Sequence, residues 1–507
     1  MRVGIPSVLD AALEHRPDAT AVVGRSGSLT YAELDAKADA AAAALWELGL
    51  RPGGRLVATL PNDLDVVLAF HGAMRIGAIW VGIGEALAAP EKQHLIRDCE
   101  PSLMLASSGV VGECVEALRD VGARGKTVED LREAIAAAGT APSVDIDPHA
   151  PAGIAYTSGT TGVPKGIVHS QHNLLLPGAV LVATRGWGPS LRKGDCLPLT
   201  ILNLMVLTTL LTAQAQGCCI VMDRRDAEGI AEWIEREKVT HWNGVPAQLH
   251  DLVTVKQVDP ARLASLQEVW SGGGDCPEEL RVRFAEAYGL PIRSTYGLTE
   301  APTVVSIDPV GGERRHGTSG RVLPHLWVQA RRDDGTMLPR DAEGEMCLSA
   351  RTDGEWAGKW TPYLGVWRDG AVVDPPAVPV ATGDFGVVDS EGWLTVLDRI
   401  KLLIVRGGAN IYPAEVERVL MAQEGVAGVA VFGVPDERLG ERVGALVELQ
   451  ADVSLDALAA ACRDQLADYK VPERWAVIDK LPRNAMGKVV RTGLVELLEG
   501  SGGSSSE

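Results

Sequence analysis

The feature that most restricts the fold of this 507-residue chain is an alternation of helical patterns with short apolar runs. "TYAELDAKADAAAAALWELGL" places Leu34, Ala38, Ala41, Leu45 and Leu48 on one helical stripe, with Thr30 and Glu33 as a capping box and Gly49 as a stop. "RLVATL" at 55–60, a helix from Asp63 and "AIWVGI" at 78–83 follow. Short apolar strands separated by amphipathic helices pack in layers with largely parallel strands, so a large α/β domain is predicted.

The alternation weakens near residue 340, where "GEMCLSA" and "GWLTVLD" read as half-buried strands of a β-rich subdomain. Connectors rich in Gly, Pro and Asp separate them, including "VVDPPAVP" at 372–379. After "LDRIK" (397–401), a helix from Pro413, strands at 426–432 and 443–449, a helix from Leu455 and a strand near 474–478 make a small α+β unit. The expected division is a large domain over 1–400, a small mobile domain over 401–499 and a flexible Gly/Ser tail over 500–507.

With 46% hydrophobic and 23% charged residues, the chain has a globular composition. A formal net charge of −19 argues against nucleic acid or an anionic membrane as partner. An anionic ligand therefore needs a local site built against the overall field. The eight cysteines lack C-x-x-C spacing, so no metal or redox framework is read and reduced cytoplasmic thiols are expected. No targeting segment is read at the start, and the most apolar run, Ile201 to Ala213, is too short to span a bilayer.

"YTSGTTGVPKG", Tyr156 to Gly166, gathers three Thr, a Ser, three Gly and a Lys. Backbone N–H groups, hydroxyls and an ammonium in one loop can wrap a phosphate, although the same composition also makes plain solvated connectors. The P-loop template fails, because Pro164-Lys165-Gly166 lacks G-K-[ST] and Gly487-Lys488-Val489 lacks the hydroxyl. "SGGGDCP" puts Pro277 where the dinucleotide fingerprint needs its third glycine, and G-x-S-x-G is absent.

Further along, "STYGLTE" (294–300) holds Tyr296, Thr299 and Glu300, "ATGDFG" (381–386) holds Asp384, "LDRIK" holds Arg399 and "LPRNAMGKVVR" holds Lys488. Together with "GGANIYPAEVE", and in this order, they resemble the adenylate-forming superfamily of acyl-CoA synthetases, peptide-synthetase adenylation domains and luciferases. The resemblance runs from "TYAELD" to "GKVVRTGL".

It implies that a carboxylate attacks the α-phosphate of ATP, giving acyl-adenylate and pyrophosphate, chemistry that needs positioning and charge neutralisation. By resemblance Thr157, Ser158, Gly159, Thr160, Thr161, Gly162 and Lys165 hold the β- and γ-phosphates, Thr299 meets the α-phosphate and Glu300 holds Mg²⁺. Tyr296 stacks on adenine with Gly297 beside it, and Gly272, Gly273 and Gly274 line the adenine and carboxylate pocket. Asp384 takes the ribose hydroxyls with Arg399 nearby, Lys488 bridges carboxylate and α-phosphate, and Lys401 is the hinge about which the small domain rotates between half-reactions.

Ile201, Leu202, Leu204, Met205, Trp242 and Asn243 are expected to line the acyl pocket, suiting an apolar, aryl or medium-chain acid. Three departures concern the acceptor: "LPLTILNLMV" has Ile201 where acyl-CoA synthetases commonly carry His, "GKWTPYLGVWRDGAVVDPPAVPVATGD" keeps Tyr363-Leu364-Gly365 but spaces it unusually from Asp384, and the usual "THRN" reads "SQHN", Ser170 to Asn173. The leading expectation is an acid:CoA ligase, because no carrier or condensation domain is read after Lys488. An amide bond synthetase of the same fold, using an amine acceptor, is the alternative. An inactive binding homologue is disfavoured by the complete set of Thr299, Glu300, Asp384, Arg399 and Lys488.

Overall fold

The structure, a computed structural model, describes residues 3–158, 164–272, 276–312, 314–406, 409–483, 488–500 and 504–505. The capping box at Thr30 starts the helix Tyr31–Glu47. Thr30 Oγ1 accepts from the Glu33 N–H at 3.2 Å, and the Glu33 carboxylate accepts from the Thr30 N–H at 2.8 Å. The stripe Leu34, Ala38, Ala41 and Leu45 is buried against the helix Leu64–Arg75, which Asp63 caps by accepting from the Leu64 N–H at 2.9 Å. The crossing is tight: a Cβ on Gly72 would meet the Ala41 backbone at 2.9 Å.

Two large sheets form the layers of the large domain. One runs Ala371–Val373, Gly365–Arg368, Pro164–Ser170, Pro151–Ser158, Ile79–Gly82, Arg55–Thr59, Leu103–Ala106, Arg124–Thr127; it is parallel from Pro151–Ser158 onward and antiparallel before it. The other has a parallel centre of Ile292–Leu298, Glu268–Ser271, His241–Gly244, Arg192–Asp195, Cys218–Val221 and Thr20–Gly24, with antiparallel strands at both margins. Parallel centres with near-continuous apolar strands, such as Leu103–Ala106 and Cys218–Val221, are what burial on both faces requires.

The β-rich subdomain is an antiparallel sheet of Leu326–Arg331, Gly344–Ala350, Val380–Val388 and Leu394–Arg399. The alternating burial of Val380–Val388 puts Val380, Thr382, Asp384, Gly386 and Val388 on different exposure from their neighbours, so Asp384 points toward the buried side. The small domain builds a sheet around Gly440–Leu449, paired with Val426–Asp436, Ile404–Arg406 and Arg474–Ile478. Helices Pro413–Met421 and Leu455–Gln465 cover it, and Ser504–Ser505 pairs with Arg474 and Trp475. The predicted α/β domain, β-rich subdomain and small α+β domain are therefore all present.

The apolar run from Ile201 folds as consecutive helical turns, Leu202–Met205, Val206–Leu210 and Leu211–Gln214, largely buried. Among the described residues no helix is long and apolar enough to cross a membrane. The loop before this run lies hard against the strand Ile79–Gly82, where the Trp80 indole N–H donates to the Thr200 carbonyl at 3.0 Å. A Cβ on Gly82 would stand 1.7 Å from that same carbonyl oxygen. Gly82→Ala must push the 198–201 loop away and should lower stability by about 1–3 kcal/mol, read as a lower urea midpoint.

Candidate functional site

The site is assembled where three units meet. The strands Pro151–Ser158 and Pro164–Ser170 flank the segment expected from sequence to bind phosphate, with Thr157 paired to Lys165 and Ser158 to Pro164. Thr157 is half-buried and Lys165 exposed, while Gly159, Thr160, Thr161, Gly162 and the side chain of Ser158 lie outside the described residues. The hairpin is anchored behind the loop: the Tyr156 hydroxyl donates to the Asp98 carboxylate, and the Trp367 indole N–H donates to the Asp98 carbonyl at 3.1 Å. Gly166 is needed here, since a Cβ would meet Ile154, Tyr156 and Trp367 between 2.9 and 3.2 Å.

The second unit is the hairpin of Ile292–Leu298 and Thr303–Ile307, whose connecting turn presents Thr299 and Glu300, both half-buried. Gly297 allows the two strands to close: a Cβ there would lie 1.7 Å from the Thr303 carbonyl oxygen. Tyr363, from the retained Tyr-Leu-Gly stretch, is near enough to Glu300 for the carboxylate to raise its pKa, an effect second to burial. Gly272 ends the neighbouring strand, and a Cβ on it would meet Thr295 Oγ1 at 2.2 Å. Gly273 and Gly274 lie outside the described residues.

Asp384 joins the units. It is 1% exposed. The Arg399 Nε–H donates to Oδ1 at 2.6 Å, and the Tyr296 hydroxyl donates to Oδ2 at 2.5 Å. Its own N–H donates to Thr382 Oγ1 at 3.1 Å, and that hydroxyl donates to the Met346 carbonyl at 2.9 Å. Burial pushes the Asp384 pKa above the usual carboxylate range, opposed by Arg399, the Tyr296 hydrogen bond, Lys488 and Lys401. Tyr296 is held fully protonated, its pKa driven well above ordinary by burial and by Asp384. A carboxylate has about four lone-pair positions, so with two engaged it still has acceptors for a pair of hydroxyls.

Lys488 comes from the small domain, just beyond residues 484–487, with Val489 bridged to Arg483. The residue is exposed, yet surrounding atoms and the Arg399 charge push its pKa down while Asp384 pulls it up. Lys401 is exposed in a short turn, Ile400–Leu402, and its charge also reaches Asp384. Contacts of the small domain with the β-rich subdomain include Asp398 Oδ2, which accepts from the Ala414 N–H at 2.9 Å, and Tyr412, which stacks on Phe385 at 5.4 Å.

The expected acyl-pocket residues fall into two settings. Ile201 and Asn243 are half-buried, whereas Leu202, Leu204, Met205 and Trp242 are packed in the core, Leu202 directly over Gly153. Sequence reading missed Thr382, Asp398, the Phe385–Tyr412 stack and His169. The first two adjoin residues it singled out, so the signal was adjacency. His169 is fully buried, its Nε2–H donates to the Thr299 carbonyl at 2.8 Å, and burial pushes its pKa down to about 4.

Glu300 suits Mg²⁺ in a particular way. Mg²⁺ takes hard oxygen ligands and commonly only one or two protein carboxylates, the remainder being phosphate oxygens and water. Among the described residues no group of three or more His, Cys, Asp or Glu is placed to hold a metal. A site offering a single carboxylate fits an ion that arrives with its nucleotide.

The chain belongs to the AMP-binding enzyme family: the family profile matches residues 9–352, and that of the AMP-binding enzyme C-terminal domain matches 415–488. This is a class of adenylate-forming carboxylic acid ligases, for which ATP, Mg²⁺ and CoA are the usual co-substrates. It is 32% identical over 489 residues to long-chain-fatty-acid–CoA ligase FadD13 of Mycobacterium tuberculosis, covering 92% of this chain and 93% of that one. It is also 32% identical to feruloyl-CoA synthase of an Amycolatopsis species, covering 94% and 95%. ATP-bound MatB from Rhodopseudomonas palustris superposes with a TM-score of 0.89 at 27% identity, covering 98% and 99%.

Asp384→Asn keeps the shape but removes the charge that pairs with Arg399 and would accept the ribose hydroxyls. ATP affinity should fall by about 1.5–3 kcal/mol, roughly 10- to 100-fold in Kd, by calorimetry. An unchanged Kd would mean that the carboxylate serves the fold alone.

Proposed function

We propose that this chain adenylates an apolar carboxylic acid, aryl or medium-chain, and passes the acyl group to CoA. The observation that carries the reading is the meeting at Asp384 of Tyr296 from one sheet, Arg399 from another and the charge of Lys488 from the small domain. In this reading Asp384 accepts the ribose hydroxyls and Tyr296 borders the base with Gly297 and the 272–274 glycines. Thr299 donates to the α-phosphate, while Glu300 and the 157–165 loop hold Mg²⁺ and the outer phosphates. Lys488 lies between acid and α-phosphate, where negative charge grows as the bond to pyrophosphate breaks. Arg399, Lys488 and Lys401 set three positive charges around the Asp384 carboxylate, within a chain of net charge −19.

The acid class rests on Ile201 and Asn243 beside an apolar interior, and on relatives that include indoleacetate–CoA ligase of Aromatoleum aromaticum, 30% identical over 499 residues. CoA as acceptor rests on the CoA ligases among the relatives. Ile201, in place of a histidine, favours an amine acceptor as the second reading. Eight cysteines, all buried and none in a disulfide, suit a reducing cytoplasm.

The test is to incubate the enzyme with ATP, Mg²⁺, a panel of aryl and medium-chain acids, and either CoA or amines, and to identify products by mass. Thioester with an aryl or medium-chain acid is expected; amide in place of thioester would transfer the acceptor assignment to the second reading. Lys488→Ala should lose roughly 10²-fold or more in pyrophosphate exchange while still binding ATP. Exchange at the wild-type rate would remove Lys488 from the chemistry.

Lys401→Pro fixes φ and deletes an N–H at the pivot of the small domain. We expect it to retain pyrophosphate exchange and accumulate acyl-adenylate with thioester formation lost, measured by product mass in single turnover. Equal loss of both half-reactions would place the pivot elsewhere.

A further inference from the structure

We propose that His169 is a positioning residue for adenylation: it holds the Thr299–Glu300 turn in register with the strand that leaves the phosphate loop. This rests on the reading of Thr299 and Glu300 as the α-phosphate and Mg²⁺ residues. His169 lies four residues beyond Lys165 on Pro164–Ser170, an interior strand paired on one side with Pro151–Ser158 and on the other with Gly365–Arg368. A strand paired on both edges is stiff, so a group fixed to it is fixed relative to the loop at its start.

The turn needs such a support. Cross-strand pairing in its hairpin ends at Leu298 and Thr303, leaving 299–302 beyond the ladder. Thr303 has φ of 86°, a left-handed conformation for a β-branched residue, and Gly297 leaves no slack on the other strand. The 2.8 Å bond from His169 to the Thr299 carbonyl reaches this turn from a different sheet.

The chemistry of the ring agrees. A carbonyl oxygen only accepts, so Nε2 carries the hydrogen and Nδ1 holds the lone pair. Nδ1 is buried with no hydrogen-bond partner among the described residues. The imidazole thus gives up hydration at one nitrogen for a single bond at the other, whereas Ile167, two residues earlier on the same strand, is buried as a purely apolar group. Because the ring is neutral and enclosed, the bond does not depend on a charge, and it ties the phosphate grip to the α-phosphate contact.

The experiment compares His169→Met, which fills the space without a donor, with His169→Gln, whose amide nitrogen reaches about as far as Nε2. Pyrophosphate exchange is measured against ATP, acid and Mg²⁺; ATP binding is titrated with and without Mg²⁺; and melting temperatures are recorded. Misplacing a phosphate contact by an ångström costs on the order of 10²-fold, so H169M is expected to lose roughly 10- to 100-fold in exchange kcat. It should also need more Mg²⁺ and bind MgATP more weakly, with the KM for acid within about twofold, and H169Q should recover most of the loss. Wild-type kinetics in H169M would overturn the proposal, as would equal losses in H169M and H169Q accompanied by equal falls in melting temperature. The binding readout needs no acid and so is independent of the acid class. Thr299→Val and Glu300→Gln separate the two levels. If they lose exchange while H169M does not, His169 alone is wrongly assigned; if they behave as wild type, the underlying site reading falls and His169 with it.

Discussion

Burying a carboxylate is costly unless its charge is met, and the arrangement around Asp384 is the answer on which the rest of the site depends. Removing an ion from water costs several kcal/mol after relaxation, so a nearly inaccessible Asp384 requires good partners on both oxygens. Arg399 and Tyr296 supply them from two different sheets, and Lys488 and Lys401 add positive charge from the small domain and the connection to it. Because Tyr296 lies 88 residues from Asp384 and on another sheet, satisfying one charge fixes the relative placement of the two sheets that carry the candidate site. The upward shift of the Asp384 pKa records that burial still outweighs the compensation.

The remaining geometry follows from close backbone approach. Gly166, Gly272 and Gly297 sit where a Cβ would collide with a neighbouring strand or side chain, so the site is drawn tight by residues that contribute no functional group. Asp398 adds a different kind of constraint. One of its oxygens accepts the Ala414 N–H near the start of the helix Pro413–Met421, and the other accepts the Arg399 N–H at 2.6 Å. The carboxylate therefore joins the last strand of the β-rich subdomain to the first helix of the small domain, next to the arginine that pairs with Asp384.

A second buried charge system stiffens the sheet that holds Glu268–Ser271 and His241–Gly244. Lys193, His241 and Glu268 lie in one row across three adjacent parallel strands. Arg185 donates to Glu268, the Trp270 indole donates to it at 2.7 Å, and Lys193 stands 5.3 Å from the Trp270 ring. No local pattern announces such a row, since each member is a single polar residue in a short strand.

By itself the sequence determined what depends on neighbours along the chain. The helix at Tyr31 was legible because a capping box and a 3.6-residue stripe are local, and the strand Arg474–Ile478 because its composition and flanks are local. The candidate site residues stood out as a set, since several rare motifs in fixed order resemble one family. Only the tertiary structure decided how they meet: that Tyr296 donates to Asp384, that Asp398 caps the helix at Ala414, and that Leu202 and Trp242 pack in the core while Ile201 stays half-buried. It also gave His169 its partner, 130 residues away. Such contacts arise from strand order and sheet packing, which bring together residues whose separation in the chain carries no trace of their distance in space.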